Sequence, residues 1–312
     1  MSILSQQIKE LFDSQLREWE QAKTNYEALK KVKTRNFSFG SFSVKVQFNP
    51  ARMHSASAKV DAVSIQERKC FLCPQNLPEQ QKGIPYEEEY QILVNPFPIF
   101  PVHYTIPTCE HTDQLILNRF GDMVNLAEEL PEYTIFYNGP KAGASAPDHA
   151  HFQAGIKGFL PIEKDIYPLE KDVIYESGDI LIYAVKSYLR NFFLLRSKDK
   201  ERIKIYFEKL YSLLEIKEDD KEPKMNILGW HVEGEYYFCI FPREKHRPDC
   251  FFANDDTQIL VSPGAVDMGG VLIVPQEKDF NKITAADIED IYKEICISDE
   301  EMQLIIDKVK QI

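Results

Sequence analysis

Two histidines near the middle of the chain have the spacing of a catalytic pair. Residues 138–153 read NGPKAGASAPDHAHFQ, so His149, His151 and Gln153 alternate along one short segment. If this segment is a strand, the three side chains project from the same face. The loop before them has little side-chain bulk and would let a phosphate approach the backbone N–H groups. This pattern indicates attack by an imidazole on phosphorus; a metal-binding or packed polar histidine pair is the alternative.

A C-x-x-C pair, Cys70 and Cys73, is the second chemical signal. Such a pair is half of a zinc site, a redox pair or a coincidence of two buried thiols. The sequence has no second C-x-x-C, so tetrahedral zinc would need two histidines. His111 and either His149 or His103 are the candidates.

Composition limits the classes of protein to consider. The 312 residues are 44% hydrophobic and carry a net charge of −12, which argues against a duplex nucleic-acid partner. No apolar run approaches the length of a membrane span, and the charged N-terminus does not resemble a signal peptide. We therefore expect a protein of the cytoplasm, with two domains or an internal repeat, that has no membrane partner.

Two groups of basic residues are candidates for holding phosphates in this acidic chain. They are Arg52 with Lys59, and the cluster Arg243, Lys245, His246 and Arg247. A solvated strand end is the alternative for the second group. The remaining histidines, His54 and His231, are expected to be ordinary polar or surface side chains.

The hydrophobic patterns predict a mixed chain of helices and strands. Helices are expected at 3–32, 112–130, 199–216, 285–297 and 299–311. Strands are expected at 36–49 (bent at Gly40), 90–97, 103–108, 133–137, 179–185, 191–196, 224–231, 236–241 and 271–275. Segments 55–64 and 215–224 are predicted to be loops. Many adjacent strands with little β-α-β alternation favour the α+β class.

Several of these segments together resemble one family. CFLC-x-x-N at 70–76, VNPF at 94–97, His111, and Asn138 ahead of H-x-H-x-Q occur in one order over residues 70–153. This arrangement is similar to the transferase branch of the histidine-triad (HIT) superfamily. That branch contains galactose-1-phosphate uridylyltransferases, diadenosine tetraphosphate phosphorylases and GDP-hexose phosphorylases. The second half, including WHVEGEYYFCIFPREKHRP and DMGGVLIVPQEKDF, resembles the phosphorylases more loosely.

The resemblance implies a role for each residue of the histidine segment. His151 would attack the α-phosphorus of a nucleotide and carry the nucleotidyl group. Gln153 stands where hydrolytic members of the superfamily have a third histidine. An amide can bind a phosphoryl oxygen but does not readily exchange a proton, which favours transfer over hydrolysis.

Further residues match the metal and nucleotide positions of the family. By resemblance, His149 joins Cys70, Cys73 and His111 as ligands of a structural zinc that clamps the histidine strand, with His103 as the competing third ligand. The positions that match nucleotide contacts are Asn95, Asn138 and Ser145. Asp148 has no fixed role by resemblance.

The implied architecture is two tandem HIT-like α+β repeats that form an extended antiparallel sheet flanked by helices. Residues 1–35 would be an N-terminal helix packed across them, 36–165 the catalytic repeat and 166–312 a degenerate repeat. The site would lie between the repeats. We expect transfer of NMP from an NDP-sugar or a dinucleoside polyphosphate to phosphate or a sugar phosphate. A HIT-type nucleotide hydrolase and a catalytically silent nucleotide-binding protein remain alternatives.

Overall fold

The N-terminal segment forms two helices rather than the single predicted one. A computed structural model describes residues 2–53, 57–58, 60–169, 171–186 and 188–312. Helices α1 (Ile3–Glu18) and α2 (Glu20–Leu29) are separated at Trp19, whose backbone is extended (φ −113°, ψ 100°). The indole of Trp19 is buried. Because the Trp19 side chain is buried like the apolar residues of the helices on either side, the spacing of apolar residues continues through the break and the sequence pattern predicts a single helix.

Residues 33–48 form a hairpin where the sequence predicts one bent strand. Strands β1 (Lys33–Phe39) and β2 (Phe42–Phe48) pair in antiparallel fashion. Gly40 makes the turn with φ +64°, a conformation that glycine adopts without steric cost. The bend predicted at Gly40 is therefore a complete reversal of the chain.

Ten strands form the main sheet, and all of its pairings are antiparallel. The strands are β3 (Gly83–Tyr86), β4 (Tyr90–Val94), β5 (His103–Pro107), β6 (Tyr133–Asn138), β7 (His151–Ile156), β8 (Asp172–Ser177), β9 (Ile180–Val185), β10 (Phe192–Ser197), β11 (Met225–Val232) and β12 (Glu235–Pro242). Their spatial order is β3-β4-β5-β7-β6-β11-β12-β10-β9-β8. Each half of the sheet has the same strand order when it is followed from its outer edge to the central pair, β6 and β11. The domain boundaries predicted after residues 35 and 165 remain predictions.

A second sheet is built from the hairpin and a late strand. Strand β13 (Val271–Val274) pairs with β2 in parallel, which the sequence patterns do not predict. The helices that complete the chain are α3 (Ala62–Glu67), α4 (Phe120–Glu129), α5 (Ile162–Asp165), α6 (Lys200–Leu213), α7 (Asp249–Phe252), α8 (Ala265–Met268), α9 (Glu277–Lys282), α10 (Ala285–Ile295) and α11 (Asp299–Val309). Short 3₁₀ turns lie at Pro50–Arg52, Pro74–Asn76 and Leu117–Arg119.

The two faces of the main sheet pack on different partners. One face packs against α1, α4, α6 and α11 in a core that runs across both halves. The other face is covered by β2, β13 and α10 in a core that lies mostly over the second half. The predicted α+β class, with an extended antiparallel sheet flanked by helices, is confirmed. No described helix is long and apolar enough to cross a membrane.

Three local predictions differ from the structure. The helix predicted at 112–130 begins at Phe120, because the preceding segment runs along the histidine loop: Ala150 N–H donates to Thr112 O, and Gln114 N–H to Pro147 O. Helix α3 overlaps the predicted loop at 55–64, and its N-cap is Asp61, which accepts a bond from Ser64 N–H. The edge strands β3 and β8 are not predicted, since β3 has only four residues, two of which are Gly and Pro, and β8 lacks a strict alternation of apolar and polar residues.

Candidate active site

A cavity of about 420 Å³ is lined by six of the residues that the sequence predicts for catalysis and nucleotide binding. Both halves of the chain line it. The first half contributes Arg52, Asn95, Asn138, Ser145, His151 and Gln153, and the second contributes Ser262, Asp267 and Ile273. The cavity therefore lies between the two halves, where the sequence places the site. Lys59 and His54 lie outside the described residues.

His151 lines this cavity, and a hydrogen bond defines the tautomer of its neutral ring. Its Nδ1 lies 2.8 Å from the carbonyl oxygen of His149, to which only a protonated nitrogen can donate. In the neutral ring Nε2 therefore carries the lone pair. Burial lowers the pKa of His151 to about 4. The ring is thus uncharged near neutral pH, and Nε2 is available as a nucleophile.

The backbone of His151 is held by a residue that the sequence analysis missed. Gln114 Oε1 accepts the N–H of His151 at 2.7 Å, and its Nε2 donates to the His151 carbonyl at 3.0 Å. The same Nε2 donates to the carbonyl of Asn138 at 3.0 Å. Gln114 is buried between the two strands that carry the site. No motif marks it, because it falls in a segment whose pattern predicts a helix.

Gln153 has a fixed amide orientation because His103 binds its oxygen. Ile99 N–H donates to His103 Nδ1 at 3.2 Å, so the neutral His103 ring carries its proton on Nε2. Burial beside Arg52 lowers the pKa of His103 to about 3. That Nε2–H donates to Gln153 Oε1 at 3.1 Å. The Gln153 NH₂ group is consequently left to bind an acceptor in the cavity.

The loop before the histidines packs closely against the second half. Gly143 has φ +93°, and a Cβ atom there would lie 2.7 Å from the Cα of Gly264. Glycine at this position therefore satisfies both the backbone conformation and the close approach. The neighbouring Ala142 and Ala144 are buried, so small side chains bring this loop to the cavity wall.

The predicted zinc ligands lie together as a possible metal-binding group. The ligand atoms of Cys70, Cys73, His111 and His149 are all within 4.8 Å of one another. Cys70 Sγ is 3.3 Å from His149 Nδ1, and Cys73 Sγ is 3.2 Å from His111 Nδ1. Tetrahedral zinc with ordinary bond lengths would place such ligand atoms about 3.3–3.8 Å apart. Four thiol and imidazole donors at this spacing fit a closed structural zinc site.

Neighbouring groups orient both histidines of this set. His149 Nε2 lies 2.8 Å from the carbonyl oxygen of Thr108, which leaves Nδ1 to face the cysteines. Asp148, which has no fixed role by resemblance, lies 3.7 Å from His111 Nε2 and 2.6 Å from Arg68 Nη2. His103, the competing ligand, is wrong for this site because its ring nitrogens bind Ile99 and Gln153 instead.

Asn95 and Arg52 line the cavity while also bonding to its walls. Asn95 donates from Nδ2 to Thr105 Oγ1 at 2.8 Å and accepts Phe97 N–H at 2.9 Å. Arg52 donates from Nη1 to the carbonyl of Phe97 at 2.7 Å. Burial lowers the pKa of Arg52 to about 10, so its guanidinium remains charged near neutral pH. Arg52 therefore supplies positive charge to the cavity wall.

The basic segment of the second half does not line the cavity as predicted. Lys245 pairs with Asp249 and Glu294. Arg247 donates to Ser262 Oγ and to the carbonyl of Ala58, two residues that line the cavity, so it lies one layer behind the wall. Both positions correct the prediction that these side chains clamp a phosphate directly.

Arg243 is the clearest correction. It is 3% exposed and donates to five acceptors: the carbonyls of Pro263, Lys245, His246 and Ile295, and Asn226 Oδ1. A guanidinium has five N–H groups, so none remains for a phosphate. A cluster of basic residues in the sequence does not indicate that the hydrogen-bond donors of one of them are all bound within the protein.

An acid and an aromatic wall complete the cavity, and neither was predicted. Asp267 accepts Gly264 N–H and Ile273 N–H at 2.8 Å each, and burial raises its pKa to about 6. Trp19 and Phe71 line the apolar side. Phe71 is 45% exposed, and the Arg68 guanidinium lies 5.1 Å from the centre of its ring.

Comparisons with known proteins agree with this architecture. Residues 11–156 match the family described as "Domain of unknown function (DUF4922)", and residues 166–312 match "GDPGP1-like, C-terminal domain". No curated protein matches the chain.

Solved structures of one yeast enzyme share the fold. The crystal structure of yeast Ap4A phosphorylase Apa2 has a TM-score of 0.58 at 17% identity, covering 89% of this chain and 96% of that chain. The structure of its complex with Ap4A has a TM-score of 0.58 at 16% identity and covers 90% of this chain and 97% of that chain. The structure of its complex with AMP has a TM-score of 0.57 at 18% identity and covers 90% of this chain and 96% of that chain. At 16–18% identity these matches show a shared fold, and its class is the one that the resemblance leads us to expect.

Proposed function

We propose that the chain transfers NMP from an NDP-sugar or a dinucleoside polyphosphate to phosphate or a sugar phosphate through a nucleotidyl group on His151. The single observation that carries the proposal is the His151 ring, whose Nδ1–H is bound to the His149 carbonyl while the ring lines the cavity. The family match and the fold shared with a phosphorylase support it.

In the first step His151 Nε2 attacks the α-phosphorus of the donor. A P–N bond forms, and the bond to the bridging oxygen breaks, so a sugar phosphate or a nucleoside polyphosphate leaves with that oxygen and its electron pair. The ring becomes cationic, and the carbonyl of His149 stabilises the Nδ1–H that is retained. The Gln153 NH₂ group donates to a non-bridging oxygen as negative charge grows there.

In the second step an oxygen of the acceptor attacks the same phosphorus, and the P–N bond breaks. His151 leaves as the neutral ring, ready for another donor. Gln153 offers no group that removes a proton from water, because its oxygen is already bound to His103. An anionic phosphate needs no such base, so transfer to phosphate is favoured over hydrolysis.

Zinc has a structural part in this proposal. Cys70, Cys73, His111 and His149 would hold it, and the bound ion would cross-link the loop at residues 70–73 to the segment just before β7. Because His149 also provides the carbonyl that orients His151, fixing His149 fixes the nucleophile. With four protein ligands the site has no open position for substrate.

Intact-mass measurement of the protein mixed with Ap4A and with GDP-, UDP- and ADP-sugars tests the proposal. One donor should add the mass of its NMP, and phosphate or a hexose phosphate should then remove it. Loss of the adduct in buffer alone at the same rate would indicate a hydrolase. Nucleotide binding with no adduct from any donor would indicate a silent binding protein and would overturn the proposal.

A further inference from the structure

Three polar side chains form a relay from the second half of the chain to the cavity. Arg243 Nη1 donates to Asn226 Oδ1 at 2.6 Å. Asn226 Nδ2 then donates to Asn138 Oδ1 at 2.9 Å and to the carbonyl of Ala142 at 2.6 Å. Arg243 and Asn226 are 3% and 0% exposed, whereas Asn138 lines the cavity.

The direction of this relay is fixed by its first member. A guanidinium can only donate, so the Asn226 oxygen must face Arg243 and its NH₂ group must face Asn138. Asn138 must then turn its oxygen toward Asn226, where it also accepts the N–H of Ala265 at 2.7 Å. The orientation of both amides thus follows from hydrogen-bond chemistry and not from an arbitrary choice of O and N positions.

The relay leaves one donor group unused. The Asn138 nitrogen has no hydrogen-bond partner among the described residues, and this side chain lies in the wall of the cavity that holds His151. A donor facing a nucleotide site can bind a phosphate or ribose oxygen. With its amide reversed, the same side chain would present an oxygen and would repel that acceptor.

We infer that Asn226 and Arg243 are positioning residues that aim the Asn138 NH₂ group at an oxygen of the bound nucleotide. The inference deepens the proposed function and rests on it for the identity of the ligand. It also gives Arg243 a role that replaces the predicted phosphate contact: this residue acts on the site through two amides. The second half of the chain therefore contributes the orientation of a binding residue that belongs to the first half.

Asn226→Asp is the most selective test of the relay. The new carboxylate still accepts from Arg243 but cannot donate, so Asn138 should rotate its NH₂ group away from the cavity. Affinity for a nucleoside monophosphate should fall about tenfold, measured by calorimetry with AMP, GMP and UMP in parallel. Asn49→Asp, a change at a buried amide outside the cavity, is the matched control and should leave affinity unchanged.

A double variant separates positioning from a general structural effect. In a protein that already carries Asn138→Ala, Asn226→Asp should cause no further loss of affinity. An equal loss in both backgrounds would show that Asn226 acts through the loop at Ala142 or through folding, and would overturn the inference.

Hydrogen exchange of the side-chain amides in the free protein tests the orientation of Asn226 and Asn138 without any nucleotide. With ¹⁵N-labelled asparagine, both N–H groups of Asn226 should be protected while those of Asn138 exchange rapidly. Asn226→Asp should make one Asn138 N–H protected. Protected Asn138 N–H groups in the unmodified protein would overturn the inference. Absence of an NMP adduct and of nucleotide binding would instead count against the proposed function alone.

Discussion

The two halves of the main sheet differ at one corresponding strand. Strand β7 occupies the fourth position from one outer edge, and β12 occupies the fourth position from the other. On the face opposite the α4 and α6 helices, β7 carries His151 and Gln153, whereas β12 carries Tyr237, Cys239 and Phe241. The first pair faces a cavity, and the second set is packed in the core.

This difference shows how one sheet provides both a site and its support. Over the second half, β2, β13 and α10 cover the sheet, and apolar side chains fill the interface. The first half leaves the same face open, so polar side chains there reach a cavity of about 420 Å³. The packed half can then hold Asn226 and Arg243 rigidly, and through them the wall of the open half.

The largest expected effect comes from removing the proposed nucleophile. His151→Ala should lower turnover by about 10⁴-fold or more, because His151 carries the one imidazole among the described residues that line the cavity. Circular dichroism should be unchanged. His231→Ala is the control from the second half: its ring lies outside the cavity lining, and turnover should stay near that of the unmodified protein. Normal turnover in the first variant would refute the assignment.

Loss of the proposed zinc site should affect the first half more than the second. We expect Cys70→Ser to release about one zinc per chain and to lower stability by about 3 kcal/mol, or roughly 6–12 °C in Tm. Turnover should fall as well, since His149 orients His151. Elemental analysis and calorimetry measure both effects. Cys109→Ser, at an exposed cysteine outside the metal-binding group, should change neither, and equal behaviour of the two variants would contradict the site.

Substitutions at Gln153 test the polarity of its amide. Gln153→Ala should slow adduct formation about 100-fold by removing one donor to the phosphoryl group. Gln153→Glu should be slower still, because the carboxylate can accept from His103 but repels the phosphate. Gln153→His should instead raise the discharge of the adduct to water. Rapid-quench measurements of the two steps check these results, and a Glu variant faster than the Ala variant would contradict the orientation.

The smallest expected effect is on stability, and it concerns Glu222, a residue of the second half that is hydrogen-bonded to the first half. Glu222 accepts Tyr137 O–H at 2.5 Å and Ile116 N–H at 2.8 Å, and burial raises its pKa from 4.5 to about 7. Between these pH values the folded state holds the proton more tightly, so stability should decrease as pH rises from about 5 to about 7. Glu222→Gln should flatten this dependence in thermal melts. An unchanged slope would show that Glu222 does not titrate in this range.

The sequence predicts the site better than the details around it. The C-x-x-C pair, His111 and the H-x-H-x-Q segment have fixed spacing within short stretches, and side-chain chemistry there is local. Arg243 was misinterpreted because its five acceptors come from segments up to 52 residues away. Gln114 was missed for a related reason: its bonds to His151 and Asn138 replace the helix that local periodicity favours.

The fold was predictable in class but not in every pairing. Alternating strands and amphipathic helices define an α+β chain, and most predicted elements fall within a few residues of the observed ones. The parallel pairing of β13 with β2 joins segments more than 220 residues apart, and no local pattern specifies it. That pairing matters for function because the small sheet of β1, β2 and β13 covers the second half of the main sheet and leaves the first half open to the cavity.

Locating the nucleotidyl group in the chain tests the central claim most directly. The protein would be mixed with a productive donor, digested and analysed by tandem mass spectrometry under conditions that preserve P–N bonds. We predict one modified peptide, from β7, with the added NMP on His151 and none on the peptide from β12. A nucleotidyl group on any other residue, or an adduct that persists in His151→Ala, would contradict the account.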